Sequence, residues 1–257
     1  MTDGAVVAGD PTDVRRFASG AATIAELDLI VASCRACPRL VAWREEVAAV
    51  KRSAYRDETY WGRPVPGLGP ADARVLVVGL APAAHGGNRT GRMFTGDRSG
   101  DVLFAALYRT GFANQPTSVR IGDGLALTDL RVTAPVHCAP PANRPTPEEL
   151  RTCAAYLDRE LALMAPTLRV VMTLGAIGWL ALLRALDGAG WTIPRPRPVF
   201  RHGAEAVVEH PDGRQLTVLG SYHVSQQNTF TGRLTPTMLD CVLERARTLA
   251  EVSRVQD

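Results

Sequence analysis

The sequence predicts an α/β fold, a three-layer sandwich in which helices cover both faces of a short, mostly parallel sheet. Short apolar runs alternate with longer helical patterns along the chain, which is typical of strands connected by helices. Polar, glycine-containing loops follow the first and the last core strand. Open α/β sheets bind ligands beyond the carboxyl ends of their strands, so we expect these two loops to meet at one edge of the sheet.

The individual elements follow from capping residues and apolar periodicity. Helices are predicted to begin at or near Thr23, Pro38, Gly100, Thr146, Gly175 and Pro236. Strands are predicted at Val75–Val78, Leu125–Val132 and Arg169–Leu174, and a hairpin at Ala206–Val208 with Gln215–Leu219. Residues 1–20 lack periodicity and are predicted to be a flexible tail, which leaves 21–257 as a single domain.

Composition limits the class of protein. The 257 residues are 46% hydrophobic and 21% charged, which is ordinary for a globular chain, and the net charge of +3 permits a polyanionic partner without requiring one. No window approaches the roughly 18 apolar residues of a membrane span, and the N-terminus lacks a signal-peptide pattern. We therefore expect no membrane partner, and the cytoplasm is the expected compartment.

The loop after the first strand is unusually rich in functional groups. Residues 79–101 contain glycines together with His85, Asn88, Arg89, Arg92, Phe94, Thr95 and Asp97. The spacing of Gly86 to Arg92 imitates a nucleotide-binding P-loop, but arginine replaces the required lysine and Met93 replaces the serine or threonine that holds magnesium. The dinucleotide-binding glycine pattern is also missing. The loop thus predicts a binding or catalytic site for something other than a nucleotide cofactor.

Four of the five cysteines form a second candidate site. Cys34 and Cys37 are spaced C-x-x-C, whereas Cys138 and Cys153 are separated by fourteen residues and must come from different elements. Disulfides are rare in a reducing compartment, and four thiolates can enclose either zinc or a 4Fe-4S cluster. Zinc knuckles usually offer two tight pairs, so this spacing mildly favours iron and sulfur. Cys241, on the last helix, is interpreted as a small buried apolar residue.

Together these motifs resemble the family 5 uracil-DNA glycosylases over about residues 30 to 245. The resemblance is carried by Gly-Leu-Ala-Pro-Ala at 79 to 83, Gly-Gly-Asn-Arg-Thr-Gly-Arg at 86 to 92, Phe-Thr-Gly-Asp at 94 to 97, the cysteine layout, and His223 with Ser225 and Asn228. It implies a four-stranded parallel sheet, a 4Fe-4S cluster, and excision of uracil, and of other deaminated bases such as hypoxanthine, from DNA. With this resemblance we expect a monomer that acts at the bacterial nucleoid.

This chain departs from the related motifs at three positions. Val224 replaces the proline of the usual His-Pro-Ser, which predicts a less rigid loop. Leu80 stands where family 4 enzymes carry glutamate and has no acid–base chemistry. Ala134 stands where family 4 has a uracil-reading asparagine, and the loss of a polar reader predicts relaxed base selection.

Cleavage of an N-glycosidic bond places positive charge on the sugar and negative charge on the departing base. Asp97 is the predicted partner of the cationic sugar, or the group that orients water, with an N-cap role as its alternative. His223 is the predicted hydrogen-bond donor to the uracil O2, with a structural histidine as its alternative.

The remaining predicted contacts surround these two groups. The resemblance implies that the backbone of Ala81, Pro82 and Ala83 contacts the base. The other substrate-binding candidates are a stacking Phe94 and the amides of Asn143 and Asn228. Phe94 is equally compatible with a core role, and Asn143 with a turn. DNA-contact candidates are Arg89, Arg92, Arg144 and, in the segment 226–230 predicted to fill the gap left by the flipped base, Gln226 and Gln227. A non-catalytic, zinc-stabilised nucleic-acid-binding module remains the alternative function.

Overall fold

The structure is a computed structural model that describes residues 6–252. Within this range it contains five strands, β1 (Val75–Val78), β2 (Leu130–Thr133), β3 (Val170–Leu174), β4 (Glu205–Glu209) and β5 (Gln215–Ser221). It also contains nine α-helices, α1 (Pro11–Gly20), α2 (Ile24–Ser33), α3 (Pro38–Val50), α4 (Gly87–Thr90), α5 (Arg98–Arg109), α6 (Pro147–Met164), α7 (Ala176–Gly188), α8 (Gln226–Phe230) and α9 (Pro236–Val252).

The strands form one sheet in the order β2-β1-β3-β5-β4. The first four are parallel, with Val75 opposite both Leu130 and Val170, and β4 pairs antiparallel to β5 at one edge. The predicted fold class is confirmed, but the sheet has five strands rather than four. The hairpin turn at 210–213 returns the chain beside β5 and adds β4 as the extra edge strand.

Helices cover both faces of the sheet, as predicted. In β1, Val75 and Val77 belong to a core with α5 and α9, whereas Leu76 and Val78 belong to a core with α6 and α7. All four β1 side chains are completely buried, which explains why the strand is a continuous apolar run. Among residues 6–252, no helix is long and apolar enough to cross a membrane.

The prediction of a loose N-terminal tail is wrong for residues 11–20. Asp10 caps α1 by accepting from the backbone N–H groups of Thr12 and Asp13, and Pro11 opens the helix. Val14 and Ala18 are buried in a cluster that includes Leu27 of α2 and residues of α6. Two apolar residues one helical turn apart are a weak sequence signal, and only the surface of α6 makes them a packed face. Residues 1–5 of the predicted tail lie outside the described residues.

The other helix starts agree closely with the prediction. Thr23 caps α2 and Thr146 caps α6, where Glu149 completes a capping box. The short helices α4 and α8 were not predicted, and both lie inside the polar loops that follow β1 and β5. Four- and five-residue helices carry too little periodicity to be recognised from sequence.

Candidate active site

Loops from four parallel strands build one cavity at the carboxyl edge of the sheet. It has a volume of about 800 Å³ and opens to solvent. The segments that follow β1, β2, β3 and β5 all line it, as expected for an open α/β sheet. Its lining includes Leu80, Ala81, Pro82, Ala83, Phe94, Asp97, Arg98, Ser99, Asn143, Arg144, Ile177, Tyr222, His223, Gln226, Gln227, Asn228 and Arg233.

Asp97 is both the N-cap of α5 and a wall of this cavity. Its Oδ1 accepts a 3.0 Å hydrogen bond from the backbone N–H of Gly100. Its Oδ2 lies against Gly86, where any side chain would collide with the carboxylate. Burial raises the pKa of Asp97 above its ordinary value, against the opposing influence of the Gly100 and Ser99 N–H groups. The two predicted roles of Asp97 are therefore compatible, because one oxygen is enough to cap the helix.

His223 lines the same cavity from the loop after β5. Burial lowers the pKa of His223 to about 4, so the imidazole is neutral near neutral pH. A neutral imidazole can still donate one N–H, which suits it to an acceptor that becomes anionic during a reaction. The structure thus brings the predicted carboxylate and imidazole to a single cavity.

Phe94 is a core residue and a cavity residue at once. Its side chain is 9% exposed, and its ring centroid lies 6.2 Å from that of His223. The ring lies over Gly79, where a Cβ would be only 2.7 Å from Phe94 Cζ. The backbone of Phe94 adopts a φ of 50°, in the left-handed region that few non-glycine residues occupy. A held, strained conformation of this kind is typical of functional sites.

The loop carrying His223 is fixed by packing rather than by proline. The Asn228 side-chain amide donates a 2.8 Å hydrogen bond to the His223 carbonyl oxygen, and Leu234 N donates to the Asn228 carbonyl. Val224, which replaces the expected proline, is completely buried in the core beneath β1 and β3. Asn228 therefore lines the cavity and also holds the backbone of His223. Val224 anchors the loop by its burial, which the missing proline of the motif did not lead us to expect.

Two of the three predicted DNA-contacting arginines face the interior. Arg89 is buried and pairs with Glu58, donates to the carbonyls of His85 and Gly96, and stacks 4.0 Å from the Tyr55 ring. Arg92 is buried and pairs with Asp123 at 2.8 Å. The prediction that they contact phosphates is wrong, because their charges are already used to hold the loop after β1.

Other arginines occupy the rim of the cavity instead. Arg98, Arg144 and Arg233 are exposed and line it, and within residues 6–252 none of the three forms an ion pair with a carboxylate. Arg98 lies 5.6 Å from the ring of Phe230, and Arg233 lies 4.6 Å from the ring of Tyr222. Arg98 and Arg233 were missed from sequence, although Arg98 directly follows Asp97 and Arg233 ends the loop after β5.

The polar rim residues predicted from sequence are placed at the cavity. Asn143 and Arg144 are exposed in a 3-10 turn after β2, where Ala142 and Asn143 both have positive φ values. Gln226 and Gln227 form the exposed first turn of α8. Ala134 directly follows β2 and is buried, so it presents no polar atom to a ligand.

The four predicted thiol ligands converge on a separate buried cavity. Cys34 and Cys37 flank the junction of α2 and α3, Cys138 follows β2, and Cys153 lies on α6. Burial raises the pKa of Cys37 to about 12 and that of Cys138 to about 11, and it raises that of Cys153 well above its ordinary value. Within residues 6–252, no three His, Cys, Asp or Glu side chains are grouped so as to hold a single metal ion. Cys241 lies outside this group and is exposed, contrary to the buried position expected for it.

The surroundings of the thiols test whether a 4Fe-4S cluster fits. Arg44 is 1% exposed, lines the thiol cavity and donates to Cys138 Sγ at 2.9 Å. Its Nε is buried without a hydrogen-bond partner among residues 6–252. Four sulfur donors with a buried cation and an unused N–H beside them suit an anionic group that has acceptor sulfurs. The residues present therefore fit a thiolate-ligated cluster.

The fold and the cavity define the class of this protein, an α/β enzyme with a carboxylate and a neutral imidazole in the lining of one cavity. A family model described as the Uracil DNA glycosylase superfamily matches residues 66–247. A Mycobacterium bovis protein named type-5 uracil-DNA glycosylase is 54% identical over 236 residues, covering 92% of this chain and 85% of that protein. A Thermus thermophilus protein of the same name is 53% identical over 218 residues, 85% of this chain and 94% of that one.

Similarity extends to the neighbouring family at a lower level. A type-4 uracil-DNA glycosylase of Archaeoglobus fulgidus is 29% identical over 181 residues, 70% of this chain and 78% of that protein. The chain belongs to the uracil-DNA glycosylase superfamily and, within it, to the type-5 family.

Proposed function

We propose that this protein excises uracil from DNA by hydrolysing the N-glycosidic bond, leaving an abasic site. The observation that carries the proposal is the placement of Asp97 and His223 on one cavity in a chain of this superfamily. The named relatives are uracil-DNA glycosylases, which are hydrolases acting on N-glycosyl bonds. The alternative of a non-catalytic binding module does not account for a carboxylate and an imidazole that share a solvent-open cavity.

The two side chains act on opposite ends of the breaking bond. The Asp97 carboxylate stabilises positive charge on the sugar or orients the attacking water, while its Oδ1 remains bonded to Gly100. His223 donates a hydrogen bond to the base as negative charge develops there. Because the pKa of His223 is about 4, donation uses the neutral ring and requires no protonation step.

The flipped base is held by the walls between these groups. Phe94, whose ring lies beside His223, stacks on the base, and the backbone of residues 81–83 contacts its edge. Asn143 offers an amide from the rim. Asn228 fixes the His223 carbonyl with one amide N–H, and its second N–H and its Oδ1 can face the base.

We further propose that other deaminated bases, including hypoxanthine, are accepted. The buried Ala134 leaves the base pocket without a side-chain amide at the end of β2, and selection against a larger base is weakened when no buried polar group must be satisfied. Excision rates on matched oligonucleotides containing uracil or hypoxanthine test this proposal. Activity confined to uracil would contradict it.

DNA phosphates are bound at the rim by arginines that form no ion pair with a carboxylate within residues 6–252. Arg98, Arg144 and Arg233 surround the cavity opening, and Gln226 and Gln227 extend it along α8. Binding through these cations should weaken as salt rises, because neutralised phosphates release counterions. We also propose that the protein acts as a monomer, which sedimentation analysis of the free protein and its DNA complex checks.

We propose that Cys34, Cys37, Cys138 and Cys153 hold a 4Fe-4S cluster. When bound, the cluster supplies a covalent cross-link between the α2–α3 junction, the segment after β2, and α6, and hydrolysis requires no redox chemistry from it. Iron and acid-labile sulfide in the purified protein support this assignment. Stoichiometric zinc without sulfide favours the zinc alternative.

The test of the function is direct. Purified protein is incubated with a uracil-containing oligonucleotide and with a matched thymine control, and abasic sites are revealed by alkaline cleavage. Cleavage of the uracil strand alone, abolished or strongly reduced in Asp97→Asn, supports the proposal. No cleavage by iron-loaded protein on single- or double-stranded substrate refutes it.

A further inference from the structure

Arg44 lies between the thiol cavity and the wall of the candidate active site. It belongs to α3, and its side chain is 1% exposed. One end of the guanidinium donates to Cys138 Sγ at 2.9 Å, and the other donates to the carbonyl oxygen of Cys34 at 3.0 Å. The side chain therefore holds two of the four cysteine-bearing segments.

A buried guanidinium needs a negative partner, because an isolated charge is costly to remove from water. Within residues 6–252, no carboxylate forms an ion pair with Arg44. The other buried arginine of similar exposure, Arg131, pairs with both Glu160 and Asp28. The guanidinium instead donates to Cys138 Sγ and to the Cys34 carbonyl oxygen, so a thiolate-ligated cluster held at Cys138 would supply its negative partner.

The main chain of Arg44 faces the other site. Its carbonyl oxygen accepts a 3.2 Å hydrogen bond from the side-chain amide of Asn88. Asn88 is completely buried in the loop after β1, and its backbone N–H donates to the carbonyl of Ala83, a cavity residue. Arg44 and Asn88 therefore connect Cys138 with Ala83 in the active-site wall through three hydrogen bonds.

We propose that Arg44 is a positioning residue that transmits the charge and geometry of the thiol centre to the loop carrying Asp97. This inference rests on the proposed cluster, which supplies the anionic sulfur. With the cluster in place, Arg44 is fixed against Cys138, and α3 holds Asn88 and Ala83 in register with the cavity. Without it, the guanidinium loses its negative partner, and the loop loses an anchor.

Two variants cut this path at opposite ends. Arg44→Met removes the donor to Cys138, and Asn88→Ala removes the donor to the Arg44 carbonyl. Arg39→Met is the matched control, because Arg39 is on the same helix but pairs with Glu149 of α6 at 2.8 Å and does not contact sulfur. Arg44→Lys keeps the charge without the forked geometry and serves as the conservative variant if Arg44→Met does not fold.

Three measurements are made on iron-loaded protein: the cluster reduction potential, amide hydrogen exchange of residues 80–97, and kcat and KM for a uracil oligonucleotide. We expect Arg44→Met to make the potential more negative, because hydrogen bonds to cluster sulfurs stabilise the reduced state. We expect Arg44→Met and Asn88→Ala to share faster exchange in 80–97 and a lower kcat with KM little changed. Asn88→Ala should leave the potential unaltered, and Arg39→Met should leave the hydrogen exchange of residues 80–97 unaltered.

An unchanged potential in both Arg44 variants, or unchanged exchange in 80–97 in both Arg44→Met and Asn88→Ala, overturns the inference. An equal effect of Arg39→Met on the exchange of residues 80–97 also overturns it, because that result would indicate general loosening of α3. Failure of the underlying proposals is distinguishable, because it is measured on the unsubstituted protein: iron and sulfide content tests the cluster, and uracil excision tests the function.

Discussion

The two candidate sites of this molecule, the sheet-edge cavity and the thiol cavity, are built alike but differ in what their polar groups face. Each collects side chains from distant parts of the chain, and each has an arginine beside its reactive atoms. At the sheet edge, Asp97 and His223 are half-buried and the arginines are exposed, so their charges remain available to a ligand. At the thiol centre, the charge of Arg44 is directed inward at sulfur. The sheet-edge cavity is arranged for chemistry and the thiol cavity for holding chain segments together.

The largest effect is expected at Asp97. Asparagine keeps an oxygen that can cap α5 but removes the negative charge, so Asp97→Asn should lower single-turnover uracil excision by about 10²- to 10⁴-fold. Because burial raises the pKa of Asp97, the carboxylate is destabilising when charged, and the variant should melt at the same or a higher temperature. Iron content should not change.

Asp101→Asn is the control for this prediction, since Asp101 is in the same helical turn but is exposed and does not line the cavity. Wild-type excision by Asp97→Asn would show that its capping role is its only one.

A smaller loss of rate is expected at His223. Removing one preorganised donor costs about 10²- to 10³-fold, so His223→Ala should reduce kcat by this amount with iron content unchanged. The control is His85→Gln, which alters a histidine that bonds to Tyr60 in the neighbouring loop and is not part of the cavity lining. Excision assays and iron analysis of both variants make the measurement. A wild-type rate in His223→Ala would remove it from the mechanism.

The rim arginines should affect binding rather than chemistry. Arg98→Ala and Arg233→Ala are each expected to reduce the slope of log K against log salt by about 1, with the loss of affinity greatest at low salt. Arg109→Ala provides the matched control, because Arg109 is on α5 but is paired with Asp240 away from the cavity. Fluorescence anisotropy with labelled DNA gives the slopes. If Arg109→Ala lowers the slope as much as the rim variants do, the rim is not the phosphate site.

The smallest effect concerns acid stability. The pKa of His223 is lowered from 6.5 to about 4, so between these values the unfolded chain binds more protons than the folded one. The free energy of unfolding should therefore fall as the pH drops from 6.5 towards 4, and His223→Gln should flatten this part of the profile. His210→Gln, on the remote hairpin, is the control. Denaturant unfolding at several pH values checks the slope, and identical profiles for wild type and His223→Gln would refute the assignment.

The fold was largely predictable because its signals are local. Thr23 and Thr146 mark helix starts by their own hydrogen bonds, and the apolar residues of β1 are buried on both faces of the sheet. Helix α1 was missed because its two buried residues are too few to show a helical period, and they are buried only because α6 packs on them. Strand β4 pairs with β5 and brings the sheet to five strands. The hairpin turn could be recognised from sequence, but not that its outer strand belongs to the central sheet.

The sequence predicted which reactive side chains line the candidate site, but not which arginines are buried in ion pairs and which are exposed. Asp97, His223 and Phe94 were found because they lie in polar loops directly after strands, and the structure places all three on one cavity. Arg89 and Arg92 lie in the same loops, yet both turn inward to carboxylates supplied by segments far along the chain. A motif identifies the side chain, but the group with which that side chain pairs depends on how distant segments fold together.

The sequence by itself determined the strand and helix pattern, the polar loops after β1 and β5, and a set of four thiols, because capping, periodicity and residue chemistry are local properties. Only the tertiary structure decided which arginines remain free, that Val224 anchors the His223 loop by burial, and that Arg44 joins two sites. These outcomes depend on distances between residues that are remote in sequence. A buried charge must be paired, and the folded structure determines which group lies close enough to pair with it.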